Sequence, residues 1–184
     1  GQVLKEEHSF AENTVRINRE LYGDVFYKNG TVPLQGLFVD PSFLEVFNFP
    51  LQQGNASSAL HAPNSLVLTQ QSAEKIFGPA DPIGQTLTIG KLGSFTVTGV
   101  LQEMPGKTHF DFEALSSLST LQALEQSEAI NTTVDNWSAY YNNYVYIKLR
   151  EGHDVNEVDQ ALSEINKKYG VGLKSDGKEI SYSF

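Results

Sequence analysis

His109, Asp111 and Glu113 are the residues whose types and spacing come nearest to chemistry. At alternate positions of an extended chain their side chains share one face, and an imidazole with two carboxylates is a donor set that zinc or another divalent ion accepts. The same pattern describes the wet face of a half-buried strand with Phe110 and Phe112 turned inward, and polar strand faces often imitate ligand sets. We therefore assign no metal ligand, and a metal-dependent enzyme stands as the weakest of three readings. His8, His61 and His153 are isolated. Acid–base work needs two carboxylates whose surroundings push their pKa values apart. The close carboxylates are Glu6 with Glu7, Glu151 with Asp154, and Glu157 with Asp159. The last two sets are explained by helix capping and a solvated helix face.

The other signals of catalysis are missing. There is no Gly-x-Ser-x-Gly elbow, no Gly-x-x-x-x-Gly-Lys-Ser/Thr cradle and no Gly-x-Gly-x-x-Gly turn. Gly90 to Gly93 reads as a hairpin loop. The chain has no cysteine, which removes thiol catalysis, zinc–cysteine sites and disulfides. We expect no catalytic residue and no cofactor. What remains is aromatic: Trp137, Tyr140, Tyr141, Tyr144 and Tyr146. Such rings stack on sugars or apolar ligands and anchor interfaces. Tyr144 and Tyr146 read as strand residues packed between elements, which leaves Trp137, Tyr140 and Tyr141 as the candidate contact surface. Phe38, Phe43, Phe47 and Phe49 read as core.

These residues need elements to position them. Residues 1–12 read as the tail of a helix. Thr14 to Tyr22 alternates as a strand, with Val15, Ile17 and Arg19 facing one way. Asn29-Gly30 between two extended runs is a hairpin signal. Asp40-Pro41 opens a short helix, with Asp40 as its cap and Phe43, Leu44 and Phe47 on its apolar side. Leu66 to Leu68 is a buried strand. Thr69 caps a helix carrying Ala73, Ile76 and Phe77, which Gly78 ends. Asp81 to Gly84 is a turn. Thr86 to Ile89 and Phe95 to Leu101 pair as a hairpin with Thr on one face. His109 to Glu113 is a further strand, and Ser117 caps a helix bearing Leu118, Leu121 and Leu124. Glu125 to Asp135 is a polar loop and Asn143 to Leu149 a strand. Asp154 and Glu157 form a capping box for a helix to Tyr169, with Val155, Val158, Leu162, Ile165 and Tyr169 as its stripe. Ile180 to Phe184 is a last strand. The order is α+β, closing on a unit of βαβ type.

At 184 residues the chain suits one domain or two small lobes, and it is long enough to bury a core without staples. A net charge of -9, with Lys167-Lys168 the only adjacent basic pair, excludes nucleic acid as a partner. Anionic membrane surfaces are disfavoured for the same reason. No window holds the ~18–20 apolar residues that span a bilayer, and no signal peptide opens the chain. It reads as a domain excised from a longer protein whose membrane anchors lie outside it.

Several segments fall in a telling order: 39–51 (VDPSFLEVFNFPL), 65–78 (SLVLTQQSAEKIFG), 81–87 (DPIGQTL), 95–101 (FTVTGVL) and 109–112 (HFDF). Taken together, they resemble the MacB-like periplasmic core domain, the extracytoplasmic part of a bacterial ABC transporter permease. The resemblance covers residues 35–150 well and the flanks more loosely. It implies a porter-like α/β lobe made from both chain ends, 1–35 plus 140–184, with a mainly-β lobe, 36–139, inserted between them. It also implies a non-catalytic domain on the periplasmic side of the inner membrane, anchored by transmembrane helices outside this segment. ATP-driven conformational change would pass through it to substrate export or to a periplasmic adaptor. The implied partners are an ATP-binding ABC subunit or domain, a second permease protomer and that adaptor. The family often has a longer region before Val39-Asp40-Pro41 than the 38 residues here, which points to a shortened first lobe. The alternative from the residues alone is a secreted module that binds glycan or peptide on the Trp137–Tyr146 aromatics.

Overall fold

A computed structural model describes residues 4, 7–28, 30–103, 108–127, 130, 142–169, 174–175 and 178–179. Its longest strand, β1 (Ala11–Tyr27), turns at Lys28 into β2 (Gly30–Val39), with Tyr27 facing Gly30 across the hairpin. Then follow α1 (Phe43–Val46), β3 (Leu51–Gly54), β4 (Ser65–Leu68), α2 (Gln70–Phe77), β5 (Thr86–Ile89) and β6 (Gly93–Leu101). The remainder is β7 (Ala114–Ser117), α3 (Leu118–Gln126), β8 (Asn143–Leu149), α4 (Val155–Tyr169), β9 (Lys174–Ser175) and β10 (Lys178–Glu179). The fold is α+β.

Six strands run in the order β2-β7-β4-β6-β5-β1, and β1 pairs back with β2, so this part of the sheet closes on itself. Closure leaves these strands no open edge where the ladder returns to its start. The β2–β7 and β4–β6 pairs are parallel and the others antiparallel. β3 pairs with β6, and β8 pairs with the first half of β1. At the β2–β7 contact the backbones come so close that a Cβ on Gly36 would lie 2.4 Å from the Ala114 carbonyl oxygen. Only glycine fits there.

Among the described residues there are three apolar cores, the first two set by side-chain alternation along these strands. The first fills the barrel with Leu21, Phe38, Leu66, Leu87, Phe95 and Val97, closed over by Phe77 of α2 and Leu121 of α3. The second lies on the opposite face of the same wall, where Val15, Ile17, Leu37, Val67 and Leu115 meet Phe43 of α1. β4 is buried on both faces because it separates these two cores. The third is formed by Leu4, Phe10 and Ala11 against Val158, Ala161 and Ile165 of α4.

The β-bulge between Asn18 and Leu21 switches β1 from the second core to the first. It ends the alternation expected from sequence: Val15 and Ile17 are buried, but Arg19 is exposed. The α4 stripe is also shifted. Val155 is 45% exposed, while Ala161 is buried beside Val158 and Ile165. His109 to Glu113 is irregular; β7 begins only at Ala114, because this segment crosses over α1 before joining the sheet. Thr69 caps α2 by accepting from the Ser72 N–H, Ser117 caps α3, and Gly78 at φ 60° ends α2, as expected. The Glu157 carboxylate accepts from the Asp154 N–H, and Asp154 accepts from the Asn156 N–H. Of the polar loop expected at 125–135, Glu125 and Gln126 instead belong to α3; the rest after Ser127, except Ile130, and the strand expected at 180–184 fall outside the described residues.

Candidate functional site

The site is the junction where β1, the end of β2, α1, the 108–113 segment and β8 converge. Two arrangements hold it, one ionic and one aromatic. Asp40 was expected to cap α1, but Ser42 stands at the cap position and makes no side-chain cap bond. The Asp40 carboxylate instead accepts three hydrogen bonds from Arg16: from the backbone N–H at 2.8 Å, from Nε at 3.0 Å and from Nη2 at 2.8 Å. The Asp40 N–H in turn donates to the Arg16 carbonyl. Asp40 therefore adds one more rung to the β1–β2 ladder with its side chain standing in for backbone. The fork of a guanidinium fits a carboxylate in two places, which fixes angle as well as distance. Pro41 forbids continuation of β2 as a central strand, so the chain turns here into α1. The Ser42 hydroxyl donates to the Thr14 carbonyl and pins the turn to β1.

The aromatic arrangement is centred on Phe43, which is fully buried. Burying such a side chain stabilises the fold by roughly 1.5–3 kcal/mol. Its ring centroid is 4.9 Å from Phe47, 5.4 Å from Phe49, 5.3 Å from Phe110 and 6.1 Å from Phe112. Phe47 and Phe110 both continue to Tyr146 on β8, at 5.1 and 5.5 Å. Most of these pairs are tilted or edge-on, the arrangement that ring quadrupoles favour. The Tyr146 hydroxyl meets His109 Nε2 at 3.1 Å. The block thus joins α1, the 108–112 segment and β8 through ring contacts and this one hydrogen bond.

The neighbouring surface is open. A cavity of about 800 Å³ lies against the ionic pair, with Thr14, Glu45, Asn48, Ser57 and His61 on its walls. A smaller one of about 150 Å³ lies on the far side of β1, beside Tyr144 and Tyr146. Lys148 on β8 donates to Glu12 on β1 at 2.7 Å; that hydrogen bond and the carboxylate charge hold its ammonium above the usual lysine range.

His109, Asp111 and Glu113 do not converge. His109 turns to Tyr146, while Glu113 accepts from the Gln35 N–H at 2.9 Å and faces Lys75 at 3.9 Å. Among the described residues no group of three His, Cys, Asp or Glu side chains gathers to hold a metal. Trp137, Tyr140 and Tyr141 lie outside the described residues. Tyr144 is 40% exposed, and Tyr146 packs between elements as its strand position implies. The Arg16–Asp40 pair was not anticipated. Its partners are 24 positions apart, and the only local sign was an acidic residue before Pro41, which reads equally as a cap. No helix among the described residues is long and apolar enough to cross a membrane.

A search of curated proteins finds no match. Solved structures do match. A domain of a protein assigned as a permease from Porphyromonas gingivalis aligns with a TM-score of 0.75 at 23% identity, over 91% of this chain and 68% of that one. The periplasmic region of MacB from Actinobacillus actinomycetemcomitans aligns at 0.68 with 16% identity, over 91% and 71%. The extracellular domain of the noncanonic ABC-type transporter YknZ from Gram-positive bacteria aligns at 0.65 with 17% identity, over 88% and 78%. At these identities the structures speak for the fold. The sequence profile of the MacB-like periplasmic core domain matches residues 3–165, nearly the whole chain, and the protein belongs to that family.

Proposed function

We propose that this periplasmic domain carries ATP-driven movement from the membrane part of an ABC permease to the substrate or to a periplasmic adaptor, and that it performs no catalysis. One observation supports this above the others: β1 is a single strand that pairs with β8 at one end and forms barrel wall at the other. Its β8-paired half is tied again to the end of β2 by the Arg16–Asp40 rung, and β8 is tied to α1 and the 108–112 segment by the aromatic block. A displacement of β8 and α4 is then delivered to the barrel, not absorbed in a loop. In this reading the third core, with β8 and α4, is the porter-like lobe and the barrel is the inserted lobe. Their boundary then falls at the β1 bulge and not at residue 35, because the second half of β1 and β2 form barrel wall. The ATPase, the second protomer and the transmembrane anchors lie outside this chain.

The test uses the full-length permease with its ATPase, free of other cysteines. A spin label at exposed Ser94 on the barrel reports the distance between the two protomers of a dimer. A pair of labels at Ser94 and exposed Gln160 of α4 reports distances within one domain. The expected result is a shift of the inter-protomer distance on ATP binding, with the intra-domain distance nearly constant. Asp40→Ala should broaden the intra-domain distances and lower transport per ATP hydrolysed. Unchanged inter-protomer distances during active ATP turnover would refute the proposal.

A further inference from the structure

Arg19 stands on the bulged stretch of β1, exposed, with its guanidinium carbon 4.8 Å from the centroid of the Tyr144 ring. Both line the smaller groove of about 150 Å³, together with Gln35, Asp111 and Tyr146, over a floor that includes Phe110. Neither Arg19 nor Asp111 forms an ion pair among the described residues. One cation and one anion thus face the same groove without meeting partners. Contact with the Tyr144 ring restrains the guanidinium, so its fork is presented with less motion to lose on binding. Tyr and Arg are also the side chains that most often dominate protein interfaces. The volume decides between classes of ligand. Sites for small molecules usually enclose roughly 300–1,000 Å³. This groove has room for a side chain or two, and most of its charged lining is open to solvent.

We propose that the groove is a docking notch for an extended segment of a partner protein, one that presents a carboxylate to Arg19 and a basic group to Asp111. The carboxylate would take the guanidinium fork edge-on, beside the Tyr144 ring. Asp111 would set the direction of the segment, because reversing it places like charges together. The chain's net charge of -9 favours approach of a partner that is basic around this motif. The inference rests on the permease reading only in placing the groove where a periplasmic partner can reach it.

The experiment places photoreactive benzoylphenylalanine at Tyr22 in the full-length permease, in its own cells. Tyr22 is 67% exposed and lies opposite Gln35 in the β1–β2 ladder, at the rim of the groove. Irradiation should attach one main partner, through a peptide carrying an acidic and a basic residue a few positions apart. Arg19→Glu should lower that yield about tenfold, Arg19→Lys less, and reversal of the partner's acidic residue should restore it in Arg19→Glu. Asp111→Lys should also lower it. The proposal is overturned if the product is unaffected by Arg19→Glu, if it is a lipid or a second copy of this chain, or if none forms. The Ser94 inter-protomer distance, measured on Arg19→Glu in parallel, keeps this outcome separate from that of force transmission.

Discussion

Asp40→Ala should destabilise the domain more than Arg16→Ala, although each removes one half of the same ion pair. The pair itself is only partly protected: the Arg16 side chain is 32% exposed and that of Asp40 16%. Hydrogen bonds to charged groups contribute about 1.5–3 kcal/mol each when shielded, and screening at this exposure reduces the whole pair to ~1–2 kcal/mol. Asp40 does more than pair. Its carboxylate also accepts the Arg16 backbone N–H, which is left without that acceptor when the side chain is removed. Leaving such a group unmet costs a further ~1–2 kcal/mol. Asp40→Ala should therefore cost about 2–4 kcal/mol and Arg16→Ala about 1–2 kcal/mol. At 2–4 °C per kcal/mol for a domain of this size, the first corresponds to a fall in Tm of about 4–16 °C. Urea unfolding followed by far-ultraviolet circular dichroism gives both values, with the slope of the transition checked for constancy. High salt should shrink the Arg16→Ala effect and leave most of the Asp40→Ala difference, because a backbone hydrogen bond is not screened as an ion pair is. Equal costs, or a larger cost for Arg16→Ala, would refute the view that Asp40 completes the ladder.

The same unfolding assay tests three other readings. Phe43→Ala empties the centre of the aromatic block and should cost about 3–5 kcal/mol; a loss below 1 kcal/mol would mean that the block closes over the gap. Gly36→Ala should cost about 1–3 kcal/mol, since its methyl group meets the Ala114 carbonyl, and an unchanged midpoint would contradict the closeness of β2 and β7. Ser65→Ala should be neutral or stabilising by up to ~1 kcal/mol, because the Ser65 hydroxyl is buried with no hydrogen-bond partner among the described residues; marked destabilisation would reveal a partner for it.

Local chemistry was legible in the sequence, and long-range register was not. Thr69, Ser117 and Gly78 act through their immediate neighbours, so their positions alone predicted element ends, and the hairpin expected between the first two strands is there, with Tyr27 facing Gly30. The buried run Leu66–Leu68 could be read because a strand covered on both faces has no polar alternation. Closure of the barrel was not readable, because it depends on β1 meeting both β2 and β5, pairings that no local residue signals. Arg19 was misplaced for the same reason: a bulge changes which residues face a core, and no residue near Asn18 announces it. Asp40 was misread because two roles, cap and ion-pair partner, suit one carboxylate before proline, and only the position of Arg16 decides between them. His109, Asp111 and Glu113 failed as a face because the segment is not a strand, so alternate residues do not point together. The family resemblance rested on the order of these local signals, which survives where pairings cannot be seen.

If the barrel is the inserted lobe, as proposed above, the course of β1 has a consequence for how that insertion is accommodated. Seventeen extended residues span about 55 Å, and this span crosses from α4's neighbourhood into the barrel without a break in the chain. A segment inserted between two others usually enters and leaves through loops, which act as free joints. Here the entry is a continuous ribbon, held at its bulge by neighbours on either side. Bending is then costly and twisting is less so, because strands already coil about their own axis. If β8 and α4 move as proposed, that motion should therefore reach the far end of the barrel chiefly as rotation, in the manner of a key turned in a lock.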